Sequence, residues 1–192
     1  MMKSDLRIIK TKEALRTALL KLLKEKSLEQ ISISQLCREA KINRGTFYLH
    51  YENVEALFEE YFREITHDLD LAYREPYRFV QELDLAKLNP KTIRIFNHID
   101  KFKSFYSIVF SRNVPMQYYY LLFETVKTLL LRNSSREDAE ELGVDRQLYA
   151  SYYANAIIGV MMQWYLDGFK LTVEEINIQL VRIISLGSDK PD

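Results

Sequence analysis

The chain has 192 residues, 47% of them hydrophobic and 28% charged, a balance suited to one compact unit or a small head on a larger body. No apolar run reaches the roughly 18 residues that would span a bilayer, which excludes a helical membrane anchor in this sequence. Lys plus Arg and Asp plus Glu both number 27, so the chain is neither an acidic nor a basic polyelectrolyte.

The neutral total hides an uneven distribution. Residues 1–51 hold 11 Lys/Arg against 5 Asp/Glu, a net of +6, and the remainder holds 16 against 22, a net of −6. A basic head on an acidic body suits a head that meets phosphate and a body that does not. The opening MMKSDLRIIKTKEAL has no apolar h-region and no cleavage site, so a cytoplasmic location is expected. The single cysteine, Cys37, excludes an internal disulfide and is expected as a small core residue.

Helical spacing runs almost throughout, with only 5 glycines and 4 prolines to interrupt it, so the fold class is all-α. A first helix is predicted from Lys12 to Glu25 behind Thr11 as N-cap, with Leu15, Ala18, Leu19 and Leu22 on one face. Ser32-Ile33-Ser34-Gln35 is a capping box that opens a second helix, with Leu36, Cys37 and Ala40 inward. Lys41-Ile42 makes a turn, and Asn43 is placed to cap a very short third helix, Arg44 to about His50. A long fourth helix from near Asn53 carries Leu57, Phe58, Tyr61, Phe62, Ile65, Leu69 and Ala72 at helical spacing until Pro76 nears.

Residues 77–89 give no clear order. Asn89-Pro90 opens a helix through Ile93, Phe96 and Ile99. A short helix covers Phe105 to Phe110, and Pro115 opens another through Arg132. The polar, acidic stretch 133–143 reads as a connection. A largely apolar helix follows from Asp145 to Asp167, ended by Gly168. Thr172 to Glu175 is a second capping box, opening a last helix to about Leu186. The expected domains are a head at 1–64, with its helix-turn-helix at about 32–51, and a body at 65–192.

The window 32–51 carries the chemistry. A helix-turn-helix starts its first helix near phosphate, where free N–H groups and the positive dipole end favour an anion, and Ser32 and Ser34 stand there. Its second helix presents small or hydrogen-bonding groups to base edges. Arg44 can give a bidentate bond to guanine, the Thr46 methyl can meet a thymine methyl, and Gly45 permits close approach. Tyr48, His50 and Tyr51 can donate to phosphate oxygens, fixing register without reading sequence. An αα-hairpin with no DNA partner would show much of the same pattern, with Phe47 and Leu49 turned inward.

Residues from about Thr11 to Phe62 resemble the N-terminal domain of the TetR family of transcriptional regulators. The matching residues are Ala18, Ile33, Leu36, Ala40, Ile42, Gly45, Thr46, Phe47, Tyr48, His50, Tyr51 and Leu57. The body resembles one group of TetR C-terminal domains at Ala156-Ile157-Ile158-Gly159 and Trp164-x-x-x-Gly168. Two positions depart from the family pattern: Lys41 stands where glycine is usual in the turn, and Val54, flanked by Glu52 and Glu55, stands where the fourth helix often opens with a phosphate-gripping lysine. Affinity is therefore expected to lean on Lys10, Lys12 and Lys41. The candidate DNA-contacting set is Lys12, Ser32, Ser34, Gln35, Lys41, Asn43, Arg44, Gly45, Thr46, Tyr48, His50 and Tyr51.

The resemblance implies a homodimer on a near-palindromic operator, with the last two long helices forming the interface. Tyr153, Ala156, Ile157, Val160, Ile176, Leu180 and Ile183 are the candidate contacts. It also implies a body that answers to a small apolar or aromatic effector, for which Phe105, Tyr106, Tyr119, Phe123 and Trp164 are the candidate lining. Most such aromatics in a helical body are plain core. Effector binding would tilt the fourth helix and change the spacing of the two recognition helices, releasing DNA from a repressor. The alternative is a regulator whose body only dimerises or docks a protein partner, and which activates. No cofactor, metal site or membrane partner is expected, because His67 and His98 lack ligand spacing. No phosphate loop or nucleophile with a base marks an enzyme. The carboxylate pairs Glu59-Glu60 and Glu140-Glu141 diverge on a helix and read as solvated faces.

Overall fold

The computed structural model describes residues 2–75, 89–90, 93–133 and 143–186. Among these residues the chain forms nine α-helices and one 3-10 turn, with no strand. The helices are α1 (Met2–Leu22), α2 (Ile33–Ala40), α3 (Arg44–Tyr48), α4 (Val54–Arg74) and α5 (Ile95–Lys101). They continue with α6 (Lys103–Val109), α7 (Gln117–Asn133), α8 (Arg146–Leu166) and α9 (Val173–Leu186). Residues 77–88, for which no order is expected, and most of the connection at 133–143 lie outside the described residues.

Two compact units divide the chain. The first comprises Met1–Ile65 and Ser104–Tyr118, and the second Thr66–Lys103 and Tyr119–Asp192. The expected head ends one residue short of the first break, and the segment at 104–118 joins the first unit as well.

In the first unit, α1 starts at Met2 instead of Lys12. No glycine or proline lies between Met2 and Leu22, so nothing stops the helix at Thr11, which sits inside it as an ordinary member. Leu15, Leu19 and Leu23 are fully buried, as are Leu36 of α2 and Leu57 and Phe58 of α4, and Cys37 is nearly so. Phe58 also belongs to an aromatic cluster. Phe58 meets Tyr118 edge-on at 4.7 Å, and Phe105 lies 5.3–6.0 Å from Phe58, Tyr61 and Phe62. Asn113 ties the inserted segment to the turn just after α1 by donating to the Leu23 carbonyl at 2.7 Å. Cys37 is buried, and burial pushes its thiol up from the ordinary value.

In the second unit, α5 begins at Ile95, later than its expected opening at Asn89-Pro90. Asp145 caps α8, accepting from the Leu148 N–H at 2.9 Å. Gly168 then takes φ +70° and ends the helix. The Thr172 capping box forms as expected: Glu175 N–H donates to Thr172 Oγ1 at 3.2 Å, and Thr172 N–H to Glu175 Oε2 at 2.8 Å.

His98 of α5 is buried, with Nδ1 3.1 Å from Asp68 Oδ2, while Lys101 donates to the same carboxylate oxygen at 3.0 Å. Burial pushes His98 down to about 4, against the pull of Asp68. Burial works against the Asp68 charge too, but the bonds from Lys101 and His98 prevail and hold that carboxylate below its ordinary value. The unfolded chain therefore takes up a proton at this histidine between pH 6.5 and about 4 that the folded chain refuses. Stability is whole above that window and falls by about 3 kcal/mol as pH drops through it. Urea melts of the wild type and of His98→Gln at several pH values check this: the pH dependence between neutrality and mild acid shrinks in the variant.

Candidate nucleic-acid interface

The helix-turn-helix is built from local rules. Ser32 Oγ accepts from the Gln35 N–H at 3.2 Å, and Gln35 Oε1 accepts from the Ser32 N–H at 3.2 Å, so two free donors at the start of α2 are satisfied. Lys41 adopts φ 57° and ψ 40°, the left-handed conformation usual for glycine at a helix end. Its N–H reaches the Arg38 carbonyl at 3.3 Å, and Ile42 N–H reaches Cys37 O at 2.9 Å, which closes the turn. The conformation costs a non-glycine residue roughly 1 kcal/mol, and the turn keeps it without glycine.

Helix α3 has five residues, too few to be stable alone. Phe47 anchors it, fully buried and with ring centroids 5.7 Å from Tyr48 and 5.8 Å from Tyr51. Around that anchor the opposite side is open. Lys41, Asn43, Arg44 and Gly45 are exposed, Thr46 and His50 half-buried, and Tyr48 is 52% exposed. Arg44 Nη2 stands 3.4 Å from the Tyr48 hydroxyl, one turn along. Nothing lies within 4 Å of a methyl added at Gly45, so glycine is not required by packing within the chain. Ser32 and Ser34 are exposed at the start of α2 beside half-buried Gln35, whose amide oxygen is committed to the cap.

Several expectations change here. Leu49 is 80% exposed, not inward, because α3 ends at Tyr48 and Leu49 is already past it. Asn43 precedes α3 but makes no side-chain cap bond. Tyr51 is 5% exposed, and its hydroxyl donates to Glu60 at 2.5 Å, so it faces the core and not a phosphate. Lys12 gives its ammonium to Glu60 at 2.9 Å.

Glu60, expected on a solvated face, is the residue the sequence reading missed. It accepts from Lys12, Arg16 and Tyr51, and so joins α1 and the segment after α3 to α4. Burial opposes its charge, but the bonds from Tyr51 and Lys12 hold its carboxylate below the ordinary value. Burial, with the Glu60 bond, raises Tyr51 far enough that the hydroxyl stays a donor at any working pH. The available signal was position: Glu60 lies three residues after Leu57, at the edge of the buried stripe. Where a lysine often opens α4, Val54 is buried, and Asn53 instead caps the helix by accepting from Ala56 N–H at 2.7 Å.

The candidate effector lining is shared between the two units. Phe105 and Tyr106 are buried in the first unit's aromatic core. Trp164 belongs to the second unit, packed edge-on against Phe96 at 5.8 Å and Phe169 at 5.2 Å, with its indole N–H on the Leu171 carbonyl at 3.0 Å. Tyr119 and Phe123 are half-buried one turn apart on α7.

The candidate dimer residues divide. Ile176 and Leu180 are 4% and 9% exposed, turned into their own unit. Tyr153, Ile157 and Val160 are half-buried, and Ala156 and Ile183 are exposed. One exposed apolar stripe runs along α8 through Leu148, Tyr152, Ala156, Gly159 and Leu166, and of these Ala156 alone is among the candidate contacts. Among the described residues no helix is long and apolar enough to cross a membrane.

A capped helix, a left-handed turn and a short anchored helix with arginine, threonine and tyrosine outward define a helix-turn-helix DNA-binding protein. The comparisons place it further. The family model "Bacterial regulatory proteins, tetR family" matches residues 14–61, and "Transcriptional regulator C-terminal region" matches residues 87–186. The chain belongs to the TetR family of transcriptional regulators.

It is similar to the HTH-type dhaKLM operon transcriptional activator DhaS of Lactococcus lactis, 23% identical over 91% of this chain and 88% of that protein. It is also similar to an uncharacterised HTH-type transcriptional regulator of Bacillus subtilis, YxbF, 21% identical over 88% of this chain, but it spans only 43% of that relative's length. The solved structure of NalD, a secondary repressor of a multidrug efflux pump in Pseudomonas aeruginosa, shares the fold. Its TM-score is 0.65 at 18% identity, covering 94% of this chain and 96% of that one.

Proposed function

We propose that this protein is a cytoplasmic homodimeric regulator that binds a near-palindromic operator and represses transcription until a small apolar or aromatic effector releases it. The carrying observation is the outward presentation of Arg44, Thr46 and Tyr48 over buried Phe47. In the proposed complex Arg44 reads a guanine edge, Thr46 meets a thymine methyl, and Tyr48, Ser32, Ser34 and Lys41 fix register on phosphates. Tilting of α4 by the effector would shift the two recognition helices off the half-site repeat of about 34–36 Å.

The test is binding to an inverted repeat in the DNA flanking the coding region. Arg44→Ala is expected to cost about 1–3 kcal/mol on that repeat and to relax preference at one base position. Equal loss on every sequence would take base reading away from Arg44.

A second reading is favoured by two observations: the similarity to DhaS, an activator, and the closure of Phe105, Tyr106 and Trp164 into cores. In that reading the body dimerises or docks a protein partner and the protein activates. Transcription in vitro from the flanking promoter gives the sign. Thermal shift against a library of aromatic and apolar molecules separates the readings, and uniform silence favours the second.

A further inference from the structure

Helix α1 begins well before the region matched by the DNA-binding family model, which starts at residue 14. Those first three turns carry Arg7 and Lys10, both exposed and neither paired among the described residues. The next two cations along the helix are in a different state: Lys12 and Arg16 are held by Glu60 and Glu64. The free positive charge of α1 therefore lies ahead of the matched domain.

Its direction follows from helix geometry. At about 100° per residue, Arg7, Lys10 and Lys21 fall within one sector of about 60°. Lys21 pairs with Glu39 of α2 at 2.6 Å, so that side of α1 is the side on which the helix-turn-helix is mounted. Its position follows from Tyr51, which ends the recognition segment: Lys12 Nζ lies 5.6 Å from the Tyr51 ring. From Lys12 the helix continues about 15 Å to its start at 1.5 Å per residue, a reach of several base-pair steps at about 3.4 Å each. Leu6 and Ile9, 55% and 51% exposed, add apolar surface beside the two cations.

We propose that the first three turns of α1 are a second DNA-contacting surface, in which Arg7 and Lys10 bind the phosphate backbone flanking the base pairs read by α3. The proposal rests on the DNA-binding reading above and deepens it. Phosphate contact passes from Lys12, which Glu60 neutralises, to two cations that no carboxylate pairs among the described residues. A long exposed helix, in place of a buried α4 terminus, then supplies the flanking grip.

The test is the salt dependence of binding to a labelled mixed-sequence duplex of about three helical turns, measured by fluorescence anisotropy over a range of KCl concentrations. Each lost phosphate contact flattens the log–log slope by about 0.9, so Arg7→Ala with Lys10→Ala is expected to flatten it by about 3.6 in a dimer. Lys24→Ala with Lys26→Ala, which removes the same charge beyond the other end of α1, is expected to leave the slope as in the wild type. Circular dichroism confirms that both variants fold. An unchanged slope in the first variant, or equal flattening in both, overturns the proposal. If Arg44→Ala still weakens operator binding in that case, the DNA-binding reading stands without it. A wild type that binds no duplex at low salt overturns the DNA-binding reading itself.

Discussion

Gly159→Arg is expected to turn the protein into a folded monomer that has lost its operator. Gly159 lies in the exposed stripe of α8 with Leu148, Tyr152, Ala156 and Leu166, at helical spacings of four, four, three and seven residues. A methyl added there meets nothing within 4 Å in the protomer, so the chain's own packing does not ask for glycine. Glycine inside a helix costs about 1 kcal/mol against alanine, and close approach of a second helix is the physical return for it. Arginine would strengthen α8 on its own and, if the copies meet on this face, place a long charged group between them. The expected result is a dimer-to-monomer change in light scattering with an unchanged helical signal. Joined half-sites gain about 10²- to 10⁴-fold over single ones, so operator affinity should fall by a factor in that range. A variant that stays dimeric would move the interface off this face.

The sequence made some of this legible and hid the rest for identifiable reasons. The α2 capping box, the Thr172 box and the Asp145-to-Gly168 helix are set by residues within four positions of one another, so they can be read locally. Phe47 is likewise legible as an anchor, because an aromatic among polar neighbours in so short a helix has only one apolar destination. Leu49 misled because inward alternation was carried one residue past the end of α3. Tyr51 and Glu60 lie nine residues apart across the α3–α4 elbow, and only the packed fold makes them partners. On α8, apolar residues surround the whole helix, so nothing in the pattern separates the side facing its own unit from the side left open. The same holds for Ile176 and Leu180 against Ile183 on α9. The aromatics expected to line one pocket were grouped by composition, which carries no information on the unit each would join.

Phe47→Ala is expected to remove about 3–5 kcal/mol from the stability of the head, a large share of what a domain of this size holds. Phe47 is fully buried, and α3 has no other buried member. Its ring also supports Tyr51, whose hydroxyl holds Glu60, which in turn holds Lys12 and Arg16. Truncation thus leaves a cavity and loosens the seat of a polar network whose members are buried or half-buried and need their partners. The loss should appear as a lower denaturation midpoint and as DNA binding that fails even with Arg44 and Tyr48 intact. Phe47→Leu separates the two causes. It keeps most of the apolar volume, and it is expected to recover more than half of the stability while leaving the helix less exactly seated. If Phe47→Ala melts like the wild type, α3 is held by something other than its one buried side chain, and the presentation of Arg44 and Thr46 needs a different foundation.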